Sequence, residues 1–316
     1  MRVSAALPIY NEREVLPELL ARLGAVLGKI PGGPHEMVIV DDGSSDGSFE
    51  LLAQAAASDP GLVVVRLARN FGHQVALSAA LDHATGDVVV LMDGDLQDVP
   101  EAIPLFLAKH AEGYDVVYAQ RERRKEPALL RACYYVFYRL LARLSRVDLP
   151  LDAGDFGLLS RRVVDQLRQA PERHRYLRGL RAWVGFRQTG VPIERAARTK
   201  GESKYTLRRL VNLAFDGVFS FSVAPLRAAA IIGFLAVLAS SAFALYSVIV
   251  RLFFDRPPQG FTALVLVVTF LSGVHLIFLG LVGEYIGRIY EEVKHRPLYV
   301  VERVLRAPAP GAGALA

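Results

Sequence analysis

DVVVLMDGDLQD, residues 87–98, is a short apolar run that ends in acidic side chains. Residues 87–92 are mostly β-branched and apolar, which is typical of a buried strand. Asp93 and Asp95 follow, separated by one residue, so both carboxylates can turn toward one ion. Hard divalent cations prefer oxygen ligands and often keep part of their shell for phosphate oxygens. The stretch therefore fits a Mg²⁺ or Mn²⁺ site that holds a diphosphate, although an ordinary polar turn also fits Asp-x-Asp taken alone.

Strand and helix patterns alternate through the first hundred residues. The strand patterns cover residues 2–9, 36–40 and 62–67, and the helical patterns cover residues 14–27, 48–57 and 74–84. Such alternation predicts an α/β fold with a parallel sheet and right-handed crossovers, in which ligands bind at the carboxyl ends of the strands. Polar clusters stand at three of these ends, namely residues 10–12, Asp41-Asp42 and residues 93–95. Their convergence on one rim predicts a nucleotide site.

The composition points to a membrane. Of the 316 residues, 52% are hydrophobic, and the mean hydropathy of +0.29 is high for a soluble protein. The net charge of +5 indicates either a solvated basic surface or contact with anionic lipid or phosphate. No nucleic-acid partner is expected. Cys133 is the only cysteine, so an intrachain disulfide is excluded and a reducing compartment is compatible with the sequence.

Two uncharged runs near the carboxyl terminus, residues 228–250 and 261–282, are long enough to cross a bilayer. The linker between them is short, which predicts an antiparallel pair. Arginine and lysine are concentrated on both outer flanks, so the positive-inside rule places both termini in the cytoplasm. The predicted domains are a cytoplasmic catalytic domain (1–200), an interfacial helix region (201–227), a transmembrane hairpin (228–283) and a cytoplasmic tail (284–316).

Several blocks together resemble the signatures of glycosyltransferase family 2. The blocks are LPIYNE (7–12), VDDGSSD (40–46), NFG (70–72) and DGDLQ (93–97). Three further blocks resemble its polyprenyl-phosphate branch, which includes dolichol-phosphate mannose synthases and bactoprenol glucosyltransferases: GDF (154–156), GESKY (201–205) and GEYIGRIY (283–290). Gly94 departs from the alanine that is common in the family, and we expect no effect on metal binding because the carboxylates flank it.

The resemblance implies a GT-A (Rossmann-like) domain, and the sequence patterns predict that it is followed by amphipathic interfacial helices and two transmembrane helices. It also implies a nucleotide-sugar donor and a Mg²⁺ or Mn²⁺ cofactor. The metal would be surrounded by Asp93, Asp95 and Gln97. The donor-binding residues would be Pro8, Tyr10, Glu12, Val40, Asp41, Asp42, Asp93, Gly94, Asp95 and Arg121.

The acceptor site is predicted from membrane geometry. A polyprenyl phosphate keeps its chain in the bilayer, so its phosphate rises only to the headgroup layer. Arg198 and Lys204, on the loop that enters the interfacial region, are the principal candidates to bind this phosphate, with Arg131 as a third. The alternative is that these cations only bind anionic headgroups.

The catalytic candidates are Asp95, Asp155 and Arg198. Asp155 would orient the acceptor or the sugar rather than act as a base. His73 is expected to be polar surface, and Trp183 to be a packing anchor.

The leading hypothesis is an inverting glycosyltransferase in the bacterial inner membrane that serves cell-envelope glycosylation. It would transfer a sugar from a UDP-sugar to polyprenyl phosphate at the cytoplasmic face. By resemblance, glucose is the first candidate for the sugar, and mannose, N-acetylglucosamine and aminoarabinose are alternatives. The resemblance also implies a homo-oligomer, namely a tetramer. Three alternatives are weaker. A processive synthase would need more spans, a nucleotidyltransferase leaves the hairpin unexplained, and a non-catalytic membrane scaffold has no need of a metal rim.

Overall fold

The computed structural model describes residues 1–121, 153–170, 172–173, 175–193, 224–254 and 260–307. Its contacts divide the chain into two compact units, one comprising residues 1–211 and 296–316 and the other residues 212–295. Amphipathic patterns at residues 129–144 and 205–223 predict two interfacial helices, with a solvated helix docked on the catalytic domain as the alternative for residues 129–144; both stretches lie outside the described residues. The domain boundaries given by the sequence stay predictions.

The first unit is a mixed sheet between two layers of helices. Its described elements, in chain order, are β1 (Val3–Ile9), α1 (Leu16–Leu27), β2 (Glu36–Asp41), α2 (Ser48–Ser58), β3 (Leu62–Leu67), α3 (His73–His83), β4 (Val88–Leu91), a 3₁₀ turn (Pro100–Ala102), α4 (Ile103–Ala111), β5 (Val116–Arg121), β6 (Ala153–Ser160), α5 (Arg161–Gln169), α6 (Leu177–Trp183), β7 (Gln188–Ile193) and β8 (Val301–Arg306).

The order of strands in the sheet is β7-β5-β6-β4-β1-β2-β3-β8. The parallel core predicted from the sequence is confirmed, because β4, β1, β2 and β3 pair in parallel. Ala6 of β1 stands opposite Val38 of β2 on one side and Leu91 of β4 on the other. Three pairings are antiparallel and were not predicted: β4 with β6, β5 with β6, and β3 with β8.

Both faces of the sheet are buried, which explains why β2, β3 and β4 are almost continuously apolar. On one face, α1 contributes Leu16, Leu19, Leu23 and Leu27, which recur at helical spacing. On that face Phe106 of α4 also meets Phe156 of β6 edge to face, with ring centroids 4.9 Å apart. On the other face α3 and α5 pack with residues such as Leu77 and Leu167.

The sequence analysis did not predict strand β8. It follows the second apolar helix in the chain and returns to the sheet beside β3. The Ala68 N–H donates to the Val300 carbonyl at 2.9 Å, and the Tyr299 hydroxyl donates to Asp82 Oδ2 at 2.8 Å. Residues 301–306 are therefore an edge strand of the sheet, and residues 299 and 300 also contact the first unit.

The second unit contains two long helices, α7 (Ala224–Phe254) and α8 (Phe261–Val293). The stretches Leu226–Val250 and Val267–Val293 are long and apolar enough to cross a membrane, with mean hydropathies of 2.3 and 1.8. Large apolar side chains such as Phe234 and Phe270 are exposed along them. By length and composition both helices therefore match the predicted membrane spans.

Candidate active site

The three polar clusters predicted to share one rim follow β1, β2 and β4, which are adjacent strands. Two backbone contacts tie the strand ends together: the Asp42 N–H donates to the Ile9 carbonyl at 2.8 Å, and the Met92 N–H donates to the Ala6 carbonyl at 3.2 Å. Pro8 and Val40 stand opposite each other in the β1–β2 register and are buried. The rim is therefore built by pairing of the sheet itself.

The loop after β4 is closed by its own carboxylates. Asp98 Oδ2 accepts from the Asp93 N–H at 2.9 Å, and Asp95 Oδ1 accepts from the Gln97 N–H at 3.1 Å. Leu96 has a φ of 58° and is buried, which anchors the turn from inside. Gly94 packs directly on β1, since a Cβ there would lie 2.1 Å from the Ile9 Cδ1 atom.

The donor set of this loop suits a hard cation. Asp93, Asp95 and Gln97 offer carboxylate and amide oxygens, and the Asp93 side chain is 28% exposed. No group of three or more His, Cys, Asp or Glu side chains in the described part of the chain is arranged to hold a metal ion. Mg²⁺ commonly needs only one or two carboxylates when substrate phosphates and water supply the other ligands. The residues present therefore fit a cation that is bound together with a diphosphate.

The loop after β2 holds its carboxylates inside the protein. Asp41 is fully buried; its Oδ1 accepts from the Ser44 N–H at 3.2 Å, and its Oδ2 lies 3.8 Å from Arg66 Nε. Asp42 accepts from the Phe71 and Gly72 N–H groups at 2.7 and 2.9 Å. Burial raises the pKa of both carboxyls above the ordinary value, and the hydrogen bonds only partly oppose it. Asp42 thus fixes the loop that leads into α3.

Tyr10 and Glu12 stand where β1 ends. The Tyr10 side chain is exposed at the rim and can offer a ring face to a base. The Glu12 N–H donates to Ser48 Oγ at 3.2 Å. Between them, Asn11 joins the two loops, because its N–H donates to Ser44 Oγ and its Oδ1 accepts from the Ser45 N–H, both at 2.9 Å.

A second carboxylate centre forms around Asp155 at the start of β6. Arg178 of α6 binds it in bidentate fashion, with Nε 2.8 Å from Oδ1 and Nη2 2.9 Å from Oδ2. Gln74 Nε2 donates to Oδ2 at 3.3 Å. Burial alone would raise the pKa of Asp155, but Arg178 and His73 outweigh it and hold that pKa far below its ordinary value. Asp155 is therefore ionised at any physiological pH.

Arg181 adds a buried positive charge behind Asp155. Its Nη1 donates to the Gly154 carbonyl at 3.3 Å, and its guanidinium lies 5.0 Å from the ring centroid of Tyr118. Its Nε and Nη2 have no hydrogen-bond partner among the described residues. Burial lowers the pKa of Arg181 to about 10, so the side chain still carries its charge at neutral pH.

One cavity joins the two carboxylate centres. It is lined by Asp93, Gln97 and Asp98 from the loop after β4, and by Asp155 and Arg178. His73 Nε2 stands between the centres, 3.5 Å from Asp93 Oδ1 and 3.8 Å from Asp155 Oδ2. The arrangement can hold an anionic ligand through a cation and Arg178, with a fixed carboxylate beside it.

Comparison with known proteins gives the family. The model of "Glycosyl transferase family 2" matches residues 4–168. The chain belongs to this family. A Bacillus subtilis protein named "Uncharacterized glycosyltransferase YkcC" is 41% identical to it over 307 residues, or 96% of this chain and 94% of the relative.

Two named relatives of this family 2 glycosyltransferase cover it almost completely. The "SfII prophage-derived bactoprenol glucosyl transferase" of Shigella flexneri is 38% identical over 304 residues, 96% of this chain and 98% of that protein. The "Undecaprenyl-phosphate 4-deoxy-4-formamido-L-arabinose transferase" of Klebsiella pneumoniae is 37% identical over 314 residues, 97% and 94% of the two chains. The predicted GT-A-like α/β fold and the polyprenyl-phosphate branch are thereby confirmed.

The site of this glycosyltransferase differs in part from the sequence-based expectation. His73 is 47% exposed, but it lies between two carboxylates and is not ordinary surface. Trp183 is 62% exposed, so its prediction as a packing anchor was wrong. Gln74 and Arg178 were missed. A signal existed for Gln74, which follows NFG near the carboxyl end of β3, on the predicted rim.

Four predicted cations are not placed by the structure. Arg131, Arg198 and Lys204 lie outside the described residues, and Arg121 ends β5 with a side chain that is not described. Their roles stay predictions.

Proposed function

We propose that this protein is an inverting glycosyltransferase that moves a single sugar from a UDP-sugar to a polyprenyl phosphate. The observation that carries the proposal is that one cavity is lined by Asp93, Gln97, Asp155 and Arg178 together. It combines oxygen donors for a cation with a cationic side chain, as a sugar diphosphate requires. The two named relatives support a polyprenyl-phosphate acceptor.

The donor would lie along the rim from β2 to β4. Tyr10, Glu12, Asp41 and Asp42 would line the nucleoside end, with Pro8 and Val40 beneath them in the sheet. The diphosphate would meet the loop of Asp93, Gly94 and Asp95, where Asp93, Asp95 and Gln97 would hold Mg²⁺ or Mn²⁺. When bound, the cation neutralises charge on the diphosphate. Arg121 would contribute a further cation to the donor.

The nucleophile in this reaction is a phosphate oxygen, which is already anionic at neutral pH. It needs correct placement more than it needs a base. The low pKa of Asp155 agrees with this requirement, since a carboxylate paired with Arg178 is a poor proton acceptor. Displacement from the face opposite the diphosphate inverts the anomeric carbon.

The acceptor would approach from the bilayer. We propose that α7 and α8 span the cytoplasmic membrane, that the catalytic domain and both termini are cytoplasmic, and that the protein assembles as a homo-oligomer. Arg198 and Lys204, with Arg131, would gather the acceptor phosphate at headgroup level. Changing Arg198 to alanine should then leave donor binding intact and slow transfer about tenfold or more, the rate equivalent of about 1.4 kcal/mol.

Glucose is the first candidate sugar, because a glucosyl transferase is among the relatives. A second candidate is an aminoarabinose, supported by the formamido-arabinose transferase at 37% identity. Mannose and N-acetylglucosamine are further candidates, because their transfer would use the same chemistry at this site.

The test is a donor screen with the full-length protein in detergent. UDP-glucose, UDP-N-acetylglucosamine, GDP-mannose and a UDP-aminoarabinose are each incubated with undecaprenyl phosphate and Mg²⁺ or Mn²⁺, and the lipid product is identified by mass spectrometry. We expect one glycosyl phosphate lipid carrying a single sugar. A polymeric product would indicate a processive synthase, and absence of any product with intact, folded protein would favour a scaffold.

A further inference from the structure

We propose that Asp155 reads the hydroxyl groups of the transferred sugar, and that Gln74 and Arg178 are positioning residues that aim its carboxylate. The inference rests on the proposed function, because it assumes that a sugar diphosphate occupies the cavity. It assigns Asp155 to the sugar and excludes it as a ligand of the acceptor phosphate.

The carboxylate of Asp155 is held from two sides. Arg178 contacts both of its oxygens, and Gln74 Nε2 contacts Oδ2. Gln74 is itself fixed, since its Oε1 accepts from the Leu177 N–H at 3.0 Å. The starts of α3, α6 and β6 thus converge on one side chain that is only 8% exposed. A carboxylate with this many fixed partners has a defined direction in the cavity.

An ionised carboxylate can only accept hydrogen bonds. The acceptor phosphate is mostly a dianion at neutral pH, so it also accepts hydrogen bonds and is repelled by the carboxylate. A sugar hydroxyl donates and is therefore the matching group. Each carboxylate oxygen can accept more than one hydrogen bond, so contact with Arg178 does not exhaust Asp155.

The position in the cavity agrees with this chemistry. Asp93 and Gln97, which would hold the diphosphate end, line the same cavity as Asp155. The sugar is bonded directly to the diphosphate, so it is the part of the donor that must occupy the space next to it. His73 Nε2, within 3.8 Å of both Asp93 and Asp155, shows how close the two centres are.

An enzyme site with a buried polar group that binds a substrate hydroxyl has a much lower kcat/KM for an analogue that lacks this hydroxyl, because the polar group is then left unpaired. The experiment compares UDP-glucose with its 2-, 3-, 4- and 6-deoxy analogues in the full-length wild-type protein and in Asp155→Asn. For one or two positions we expect wild-type kcat/KM to fall about tenfold to a hundredfold, as for loss of a hydrogen bond to a charged group. In Asp155→Asn, removal of the same sugar hydroxyl should lower kcat/KM by less than about threefold, because the charged acceptor is gone.

Gln74→Ala and Arg178→Lys test the positioning roles. Both should lower kcat with UDP-glucose and flatten discrimination among the deoxy analogues, while the Kd of UDP alone changes less than twofold. Lysine keeps the positive charge but lacks the planar guanidinium that binds both carboxylate oxygens. Arg178→Lys should therefore retain more activity than Arg178→Ala. The matched control is Arg162→Lys, which alters another bidentate Arg–Asp pair, with Asp115, outside the cavity. It should leave both kcat and discrimination unchanged.

The outcomes separate this inference from the proposed function. If the wild type transfers no sugar from any nucleotide donor, the proposed function fails. If the wild type is active with UDP-glucose but Asp155→Asn keeps the full wild-type penalty for every deoxy analogue, the sugar assignment is wrong. Should Asp155→Asn be inactive, Gln74→Ala decides, and an unaltered pattern of discrimination in that variant overturns the positioning role.

Discussion

Removal of the Asp42 carboxylate should loosen the loop that carries His73 and Gln74 into the site. Asp42 is buried and accepts from the N–H groups of Phe71 and Gly72 at 2.7 and 2.9 Å. Hydrogen bonds to a charged group contribute about 1.5–3 kcal/mol each. Because burial raises the pKa of Asp42 despite these bonds, part of that contribution is spent on desolvation. We expect Asp42→Ala to cost about 2–3 kcal/mol locally.

The assay is amide hydrogen exchange followed by mass spectrometry over residues 68–76 of the full-length protein. A local loss of this size should speed exchange of Phe71 and Gly72 by about thirtyfold or more. kcat should fall as well, since Gly72 immediately precedes His73, which contacts Asp93 and Asp155.

The matched control is Asp59→Ala, which also removes a carboxylate that accepts from a backbone N–H. Asp59 accepts from the Gly61 N–H at 2.8 Å, but it lies before the amino end of β3, at the opposite end of the strands from the site. It should not affect exchange at residues 68–76. If Asp42→Ala exchanges there at the wild-type rate, the anchoring role derived from these two hydrogen bonds is refuted.

Three further predictions concern the metal, acid–base chemistry and topology. Asp95→Ala should abolish transfer without changing the circular dichroism spectrum; wild-type turnover of this variant in EDTA would remove the metal hypothesis. Because Asp155 is already ionised at pH 5, Asp155→Asn should lower the rate without moving either limb of the pH–rate profile between pH 5 and 9, and a displaced limb would make Asp155 a titrating base after all. In a background without Cys133, Gln259→Cys should react with an impermeant reagent from outside sealed cells and Gly313→Cys should not; the reverse pattern would invert the topology.

The depressed pKa of Asp155 also determines how its contribution to folding stability depends on pH. Its folded pKa is depressed, so the contribution is present above the unfolded pKa of about 4 and is lost only as the pH falls through the folded value. The pair with Arg178 should therefore withstand mildly acidic conditions, and activity lost on mild acidification has to come from another group.

The rim of the site could be predicted from the sequence because it depends on local rules. Short apolar runs predicted β1, β2 and β4, and parallel pairing necessarily brought their carboxyl ends together. Asp93 and Asp95 lie one residue apart in a single loop, so their spacing was sufficient to group them, whereas Gln97 was added by the family resemblance.

The surroundings of Asp155 could not be predicted in this way. Its partners Gln74 and Arg178 are 81 and 23 residues away along the chain, and they come together only through the positions of α3 and α6. Antiparallel insertion of β6 between β4 and β5 sets that geometry, and no periodicity in residues 153–160 distinguishes a parallel from an antiparallel strand.

Strand β8 shows the same limit of sequence-based prediction at the carboxylate of Asp41. Glu302 Oε2 lies 3.3 Å from Arg66 Nε, and that nitrogen lies 3.8 Å from Asp41 Oδ2. The guanidinium of Arg66 also stacks 4.4 Å from the ring centroid of Phe49. A residue near the carboxyl terminus thus shares its cation with a carboxylate predicted to meet the donor. Because β8 follows α8 in the chain, the segment after the second apolar helix also forms an edge strand of the sheet in the first unit. A cut after α8 would remove this strand and expose the edge of β3.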